Sequence, residues 1–495
     1  MRWAWPVAEI RAAEEAARAG LPPGTLMQRA AAAMAAAAGR LLDGRVYGSQ
    51  VLVLAGGGDN GGDALWVGAG LAARGAVVSA VLLRPDRAPA DAVAALRAAG
   101  GRVLPDATPP DDLRADLVVD GLVGMGGSGP LRPDAAAWVG PVAASGAPVL
   151  AVDLPSGVEA DTGAVPGEAL RATLTVTPGA HKQGLLAGPG AACAGRVERV
   201  DIGLAGFLPP ARVGAVDAAD VGALLPVPAH ESSKYARGVL GLVAGSASYV
   251  GAAVLSCGGA LRGGGAGYVR FVSTEHPADA VRAAWPEVVV TAVAPGDGDA
   301  VVGAGRVQAW ACGPGIGTDA AAAAVVRAVL AADVPVLLDA DALTVVAQRP
   351  ELLAGRSAPT LLTPHAGEFA RLAPGIDAAD LAADRIGCVR RVAAQLGATV
   401  LLKGSRTVVA APDGQVRIAD EGTGWLATAG SGDVLTGVAG SLLAAGLPPL
   451  EAGVAAAWLH GRAARRCVGG GGPLVPTDLH AQLPYAFTDA LAARR

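Results

Sequence analysis

Short runs of apolar residues alternate with segments of helical periodicity along most of this chain. The first run predicts a buried strand, Val51–Ala55, which breaks into the glycine-rich segment Gly56–Asp63 and then a helix from about Ala64 to Ala73. A second strand at Val77–Leu83 and a second helix at Asp91–Ala99 repeat the pattern. Strands that alternate with helices predict βαβ units and parallel sheets.

The same alternation continues to the C-terminus. Further predicted strands are Leu117–Asp120, Val149–Asp153, Thr173–Thr177, Arg196–Ile202, Val239–Ala244, Gly267–Val272, a run at Trp310, Val336–Asp339, Thr360–Thr363, Thr399–Lys403 and Thr407–Ala410. Further predicted helices are Pro133–Ala144, Gly251–Arg262 and three that follow Gly430, Glu451 and Thr477. The proline- and glycine-bearing stretch Leu208–Gly214 interrupts the pattern, so we predict two domains, residues 1–212 and 213–495.

Composition narrows the function classes. Hydrophobic residues make up 52% of the 495 residues and charged residues 17%, which is typical of two large cores rather than a disordered chain. A net charge of −5 without a cluster of basic residues argues against nucleic acid as a partner. Five cysteines without a CxxC pair predict reduced, mostly buried thiols and a cytoplasmic protein. We expect neither a signal peptide nor a membrane span.

Three oxygen-bearing side chains follow the predicted strands of the first half. Asn60 is the only asparagine in the chain, although 71 glycines were available to make a simple turn. With Asp120 and Ser156 it offers a set of hard oxygen ligands with one charge, which suits a large, weakly charged cation better than magnesium. Alternatively, Asp120 caps a loop and Ser156 stabilises a turn.

The first half resembles the N-terminal epimerase domain of bifunctional NAD(P)H-hydrate repair enzymes. The resemblance rests on Val51–Asp63, on Val118–Pro130 and on Val152–Gly163, of which the last is the most specific. It implies that Asn60, Asp120 and Ser156 bind potassium. It also implies that the hydrated nucleotide contacts Asp59, Asn60, Gly61, Gly62, Asp63, Gly124, Met125, Gly126, Gly127, Ser128, Gly129, Pro130 and Asp153. The chain departs from the family pattern at Asp59 and Ala64, where the family usually has asparagine and glycine.

Epimerisation requires proton transfer at a hydroxyl group. A carboxylate at a strand end can act as both acid and base, and Asp153 is our candidate. Lys182 is one of three lysines against 36 arginines. It is either a phosphate-binding residue or an ordinary surface lysine.

The second half contains two segments suited to a phosphorylated ligand. Lys403–Thr407 ends a strand in a turn with backbone and hydroxyl donors, although a solvated turn explains it equally well. Gly430–Gly432 leads into an apolar helix, predicted to begin at Asp433. The free N–H groups there would bind a phosphoryl group, with Asp433 beside it as a base, whereas an aspartate at a helix start can also be a simple cap.

This second half resembles the ribokinase-like kinases, and specifically their NAD(P)H-hydrate dehydratase branch. The motifs are Cys312–Gly317, Leu362–Glu368, Lys403–Thr407 and Ala427–Gly437. The resemblance implies nucleotide binding by Lys403, Gly404, Ser405, Arg406, Thr407 and Gly432, and hydrate binding by Ala252, Gly315, His365 and Asp433. His365 could otherwise be a turn residue. The chain departs from the family pattern at Thr423 in the segment before Ala427.

We therefore expect two fused α/β domains, a Rossmann-like doubly wound sheet followed by a ribokinase-like α/β/α sandwich. The first would interconvert the R and S hydrates of NADH and NADPH (NADHX and NADPHX). The second would dehydrate the S form at the expense of ADP, with ATP as an alternative, releasing AMP and phosphate. The expected cofactors are potassium and magnesium, and a homo-oligomer is expected. The alternatives are a kinase of a small alcohol or vitamin precursor and a nucleotide-binding scaffold without catalysis.

Overall fold

The computed structural model describes residues 1–469 and 471–494. The chain divides into two compact units. The N-terminal unit comprises Trp3–Val213 with Ala379–Arg385, and the C-terminal unit comprises Met1–Arg2, Gly214–Ala378 and Ile386–Arg495. The assignment of separate functional domains to residues 1–212 and 213–495 stays a prediction.

The N-terminal unit is built on a seven-stranded sheet in which all neighbouring strands are parallel. In spatial order, its strands are Arg102–Val103, Val77–Leu82, Gln50–Ala55, Leu117–Gly121, Val149–Val152, Leu174–Pro178 and Arg196–Val200. Its helices are Val7–Arg18, Thr25–Leu41, Asp59–Ala72, Ala90–Ala98, Pro133–Ala136, Val139–Ser145 and Gly188–Cys193, with a short 3₁₀ turn at Gln183–Leu185. The strand order reverses between Gln50–Ala55 and Leu117–Gly121, the position at which doubly wound sheets bind ligands.

The C-terminal unit contains a nine-stranded run of sheet. In spatial order, its strands are Val289–Ala292, Tyr268–Ser273, Val239–Val243, Ala309–Cys312, Val336–Leu338, Thr360–Leu362, Thr399–Leu402, Thr407–Ala410 and Val416–Ala419. The first seven run parallel and the last two are antiparallel to their neighbours. The strand order reverses between Val239–Val243 and Ala309–Cys312.

Helices cover the sheet of the C-terminal unit. They are Ala218–Leu224, Val250–Arg262, Glu275–Ala284, Gly298–Gly303, Ala320–Ala331, Asp341–Gln348, Ala366–Leu372, Arg385–Leu396, Ser431–Ala444, Pro449–Cys467 and Pro476–Ala492, with 3₁₀ turns at Pro350–Leu352 and Gly424–Leu426. Helix Ala378–Ala383 belongs largely to the N-terminal unit, and strand Val213–Ala215 lies at the junction in sequence. These two units confirm the predicted fold class.

Close helix packing fixes the position of the Ser431–Ala444 helix. A Cβ atom added at Gly259 would lie 2.2 Å from the carbonyl oxygen of Val434, and one added at Gly437 would lie 2.1 Å from that of Ser256. Glycine at both positions therefore lets this helix and Val250–Arg262 approach backbone to backbone. Every residue from Val434 to Ala444 is buried, so packing fixes the body of the helix directly after Asp433.

Several predicted boundaries were wrong. The helix expected from Ala64 begins at Asp59, because the glycine-rich segment itself supplies the first turn. The helix expected to start at Asp433 begins at Ser431, and the single helix expected over Pro133–Ala144 is two short ones. The short strands Arg2–Trp5 and His181–Lys182, which pair in parallel through Ala4 and His181, were not predicted. Strands of two to four residues lack a long apolar run to signal them.

Candidate functional sites

A cavity of about 1390 Å³ opens at the carboxyl ends of the strands of the N-terminal unit. Among the predicted hydrate-binding residues, the cavity is lined by Asp59, Asn60, Asp63, Gly124, Met125, Gly126, Gly127, Ser128, Gly129, Pro130 and Asp153. Gly61 and Gly62 are buried and do not line it. A Cβ atom at Gly61 would lie 2.1 Å from the carbonyl oxygen of Gly56, so this glycine lets the helix begin against the end of the strand.

Asp153 follows the strand Val149–Val152 and lies in the left-handed region, with φ of +71°. This conformation is strained for a residue with a side chain, and such strain is typical of functional sites. Lys182 is 1% exposed, and its Nζ donates to Asp153 Oδ1 and, at 2.8 Å, to Thr177 Oγ1. Lys182 is therefore not a surface lysine. It forms a buried ion pair with the carboxylate that we selected as the acid–base candidate.

Acidic groups accumulate around the same cavity. Burial raises the pKa of Asp63 to about 7, and the negative charges of Asp153, Asp59 and Glu14 add to the effect. Burial also raises the pKa of Glu14. Lys182 opposes the shift at both carboxyls. The cavity thus combines an ion-paired carboxylate with one that titrates near neutral pH.

Of the predicted cation ligands, Asn60 lines the cavity, whereas Asp120 and Ser156 are fully buried and do not line it. Asp120 is fully buried; its Oδ1 accepts from Ser156 Oγ at 2.5 Å and its Oδ2 from the Ser156 backbone N–H at 2.8 Å. The amide of Asn60 lies beside Gly124, where an added Cβ atom would be 2.7 Å from Oδ1. Among the described residues, Asn60 Nδ2 is buried without a hydrogen-bond partner. Rotation of the Asn60 amide group by 180° would place its oxygen at this unpartnered position.

The site of the C-terminal unit is centred on Asp339, which the sequence did not single out. Asp339 is 1% exposed and directly follows the strand Val336–Leu338. Its Oδ1 accepts from Lys403 Nζ at 2.5 Å, and its Oδ2 accepts from Thr436 Oγ1 at 2.6 Å. A Cβ atom at Gly432 would lie 3.2 Å from Lys403 Nζ. The lysine ammonium is thus held over the first turn of the Ser431–Ala444 helix.

Asp433 is the third residue of that helix, and its electrostatic surroundings are unusual. Gly430 occupies the N-cap position with φ of +94°, and no side chain caps the helix. The pKa of Asp433 is raised to about 7, chiefly by burial and next by the negative charge of Asp339, while Lys403 opposes the shift. Asp433 is therefore not the helix cap. It is a carboxyl poised to exchange a proton near neutral pH.

The remaining predicted residues of this unit are Ala252, Gly315 and His365. Ala252 lies in the first turn of the Val250–Arg262 helix, and Gly315 follows the strand Ala309–Cys312. Ala252 and Gly315 are adjacent, since a Cβ atom at Gly315 would lie 3.1 Å from that of Ala252. His365 is the N-cap of the Ala366–Leu372 helix, where its Nδ1 accepts from the Gly367 N–H at 3.0 Å. Its side chain is 57% exposed, which leaves its outer face open to a ligand.

The Lys403–Thr407 turn packs against the segment at Gly422. Thr407 Oγ1 donates to the Gly404 carbonyl at 3.1 Å, and a Cβ atom at Gly422 would lie 2.5 Å from the Ser405 carbonyl oxygen. Thr423, one of the departures from the family pattern, accepts from the Trp425 N–H at the start of a 3₁₀ turn. Trp425 is 44% exposed, and burial lowers the pKa of Arg406. The segment that packs on the Lys403–Thr407 turn therefore carries an exposed aromatic residue.

Each of the two α/β units has a largely parallel sheet with polar groups gathered at the ends of its strands, an arrangement typical of enzymes that bind nucleotides. Two family profiles match the chain. The profile described as YjeF-related protein N-terminus covers residues 23–184, and the one described as NAD(P)H-hydrate dehydratase covers residues 240–484.

Curated relatives extend over the whole chain. The chain is 48% identical to the bifunctional NAD(P)H-hydrate repair enzyme Nnr of Mycobacterium leprae, with 100% of both chains covered. It is 50% identical to the enzyme of the same name from Mycobacterium tuberculosis, with 91% of each covered. The chain therefore belongs to the family of bifunctional NAD(P)H-hydrate repair enzymes, which confirms the family predicted from its motifs.

Solved structures resemble the C-terminal part. The ADP/ATP-dependent NAD(P)H-hydrate dehydratase of Bacillus subtilis, co-crystallised with ATP/Mg²⁺, is 33% identical with a TM-score of 0.50, and covers 55% of this chain and 97% of its own. A ribokinase-like superfamily protein from Enterococcus faecalis has a TM-score of 0.51 at 23% identity, covering 57% of this chain and 98% of its own, and supports the fold alone. In the described residues, no helix is long and apolar enough to cross a membrane.

Proposed function

We propose that the N-terminal unit interconverts R- and S-NAD(P)HX and that the C-terminal unit dehydrates the S form with ADP. The observation that carries the proposal is the Asp433 carboxyl beside the Lys403–Asp339 ion pair at the start of a buried helix. This arrangement offers a base, a cation and free backbone N–H groups at one position. These are the groups that phosphoryl transfer to a hydroxyl requires.

In the C-terminal unit, Asp433 accepts the proton of the C6 hydroxyl while the oxygen attacks the β-phosphoryl group of ADP, and AMP leaves. Lys403 and the N–H groups of the helix start stabilise the charge on the transferred group. The lone pair of the ring nitrogen then expels phosphate, and loss of a proton from C5 restores the dihydropyridine. Lys403 to Thr407 and Gly432 bind the nucleotide, while Ala252, Gly315 and His365 contact the hydrate.

In the N-terminal unit, Asp153 moves the proton at the hydrate, and Lys182 holds its carboxylate in position. The glycine-rich segment at Gly56–Gly58 receives the pyrophosphate at the start of the Asp59–Ala72 helix. Asp120 and Ser156 satisfy each other's hydrogen bonds, and the unpartnered amide of Asn60 leaves room for an additional ligand. Asn60, Asp120 and Ser156 would hold potassium, which supplies positive charge next to the glycine-rich segment.

Magnesium, the other expected cofactor, would not bind to a site formed by the protein alone. Among the described residues, no group of three or more His, Cys, Asp or Glu is placed to hold a metal ion. Magnesium commonly binds through substrate phosphates with one or two carboxylates. It would therefore enter with the nucleotide, and no step of this proposal depends on it. A homo-oligomeric state and a cytoplasmic location stay predictions.

The test uses the purified full-length chain with a mixture of R- and S-NADHX. On addition of ADP, NADH absorbance should rise until both epimers are consumed, and AMP and phosphate should appear in equal amounts. A chain that consumes only the S epimer, apart from spontaneous epimerisation, would contradict the assignment of the N-terminal unit. A kinase of a small alcohol would instead yield a stable phosphorylated product with ATP.

A further inference from the structure

Two arginines lie at one end of the N-terminal cavity, directly after the strand Val77–Leu82. Arg84 and Arg87 both line the cavity. The Leu83 N–H donates to the Ala55 carbonyl at 3.0 Å, and the Arg87 N–H donates to the Arg84 carbonyl at 3.0 Å. This turn therefore continues directly from the sheet. It lies next to the strand that carries the glycine-rich segment.

The arginine turn packs against the glycine-rich segment itself. A Cβ atom added at Gly57 would lie 2.8 Å from the Cβ atoms of both Arg84 and Arg87. Any residue other than glycine at position 57 would push the turn away. Both side chains therefore start within a few ångströms of the place where the pyrophosphate of a dinucleotide would bind.

Neither guanidinium group is neutralised by the protein. Among the described residues, Arg84 and Arg87 form no ion pair and no side-chain hydrogen bond, and both are exposed. Asp86 lies between them in sequence but does not line the cavity. The acidic residues that do line it include Asp59 and Asp63, on the helix that follows the glycine-rich segment. The turn after Val77–Leu82 therefore presents unpaired positive charge and no carboxylate to the cavity.

The position of this turn in the sheet has a known chemical meaning. Within this sheet, Val77–Leu82 is the second strand in sequence, and it pairs with the first, Gln50–Ala55, which leads into the glycine-rich segment. In doubly wound dinucleotide-binding sheets, the adenosine ribose lies near the end of this second strand. A carboxylate there binds the ribose 2′-hydroxyl, whereas an arginine accommodates a 2′-phosphate. Arginine suits a phosphate because its planar fork can donate two parallel hydrogen bonds.

We infer that Arg84 and Arg87 bind the 2′-phosphate of the hydrated nucleotide, so that the N-terminal unit prefers NADPHX to NADHX. This inference rests on the proposed epimerase function of the unit. It adds a determinant of substrate choice within that site. The nicotinamide end would lie toward Asp153 and the adenosine end toward the arginine turn.

The experiment compares wild type with Arg84→Gln/Arg87→Gln in the full-length chain. The kcat/KM for conversion of R-NADPHX and of R-NADHX is measured separately, with ADP present so that the S product is consumed. Wild type should favour NADPHX, and the double variant should lose about 10- to 100-fold with NADPHX, as expected for hydrogen bonds to a charged group. Its rate with NADHX should change little.

Arg97→Gln is the matched control. Arg97 is an exposed arginine on the Ala90–Ala98 helix and does not line the cavity. The substitution removes one positive charge from the same unit and should leave the ratio of the two substrates unchanged. An equal loss with both substrates in the double variant would overturn the inference, since the arginines would then hold the shared pyrophosphate. An unchanged ratio would overturn it as well.

A binding measurement separates this inference from the proposed activity. With the C-terminal unit saturated by ADP, calorimetric titration with 2′-phospho-ADP-ribose and with ADP-ribose should show at least about tenfold tighter binding of the first. The double variant should abolish the difference. Equal affinities in wild type would refute the 2′-phosphate site, whether or not the protein epimerises. Selective binding without conversion of either R epimer would support the site and contradict the epimerase function alone.

Discussion

Lys403 Nζ lies 2.5 Å from Asp339 Oδ1, and this ion pair joins two strand ends that are 64 residues apart in sequence. Asp339 is almost fully buried, whereas the Lys403 side chain retains 20% exposure and its Nζ lies beside Gly432 at the start of the Ser431–Ala444 helix. The carboxylate therefore holds the ammonium group at one place while leaving a face of it accessible. The negative charge of Asp339 also acts on Asp433, and so it influences both the cation and the base.

Replacement of Asp339 by asparagine tests this positioning role. The amide of the Asp339→Asn variant would retain a hydrogen bond with Thr436 but would no longer attract Lys403 by charge. We expect dehydration of the S hydrate to fall about 100-fold, because misplacing a group that binds the reacting phosphoryl can cost that much. The KM for ADP should rise in parallel. Steady-state kinetics with varied ADP provides the measurement.

The control for this variant is Asp333→Asn, at an exposed aspartate three residues before the same strand. Its kinetics should match wild type. Epimerisation, which depends on the other unit, should persist in both variants. Normal ADP kinetics in a folded Asp339→Asn protein would show that Lys403 does not need the carboxylate.

The pH dependence of dehydration follows from the raised pKa of Asp433. As a base it must be ionised, and its pKa of about 7 means that ionisation is completed only above neutral pH. The kcat/KM for the S hydrate at saturating ADP should therefore rise as the pH increases through about 7 and then level off. A profile already flat from about pH 6 upward would contradict the raised pKa or the role as base.

Replacement of Asp433 by asparagine separates catalysis from stability. The Asp433→Asn variant keeps the shape of the side chain but cannot accept the hydroxyl proton, so the rate should fall about 10²- to 10⁴-fold while ADP still binds.

A carboxyl whose pKa is raised on folding binds more protons in the folded state, so its contribution to stability falls as the pH rises from 3.8 to about 7. The variant should therefore gain stability relative to wild type across that range, which thermal unfolding at several pH values can measure. A turnover within about threefold of wild type would exclude Asp433 as the base.

Most strands of the two sheets could be predicted from the sequence, but Arg102–Val103, Val289–Ala292 and Val416–Ala419 could not. Apolar runs such as Val51–Ala55 and Thr399–Lys403 signal buried strands, and parallel strands gather the residues at their ends. The position of Asp433 relative to its helix could not be predicted, because Gly430 takes the N-cap position through a backbone conformation that leaves no side-chain signal.

Long-range ion pairs were the main omission. The rarity of lysine in this chain singles out Lys182 and Lys403, yet their pairing with Asp153 and Asp339 depends on the order of strands in each sheet. The sequence places Lys182 and Asp153 29 residues apart, and no local pattern relates them. The sequence places Asp339 only at the end of a strand. The rare lysine was the available signal, since a buried lysine requires a carboxylate near it.

The cation site is tested by Asn60→Ala. If Asn60, Asp120 and Ser156 hold potassium, either the epimerisation rate or the thermal stability of the wild-type protein should depend on potassium. The variant should lose that dependence. Asn60 is the informative position because, among the described residues of this set, its side-chain amide is the one that is buried without a hydrogen-bond partner at Nδ2. Thermal unfolding in potassium and in a large organic cation provides a readout independent of activity. A wild-type protein that is indifferent to this exchange would leave the lone asparagine without the proposed role.

The Lys182–Asp153 pair allows the two activities to be separated. Asp153→Ala should stop consumption of the R hydrate beyond its spontaneous epimerisation, while dehydration of the S hydrate continues. Lys182→Met, which retains an unbranched side chain, should also reduce epimerisation because the carboxylate loses the contact that orients it. Both rates can be followed as NADH absorbance with separate R and S substrates. Equal loss of both activities in a folded variant would contradict the assignment of functions to the two units.

Stability measurements on the same variants show whether the two residues act as a pair. Removal of either partner leaves the other charge buried and uncompensated, which costs about 3–5 kcal/mol. The double variant Asp153→Ala/Lys182→Met leaves no such charge, so its free energy of unfolding should be reduced by less than the sum of the two single changes. Chemical denaturation should be analysed at the unfolding transition of the N-terminal unit. This transition is recognised because these variants alter it and Asp339→Asn, in the C-terminal unit, does not. Strictly additive effects would mean that the ammonium and carboxylate do not depend on each other, and Lys182 would then lose its role in holding Asp153.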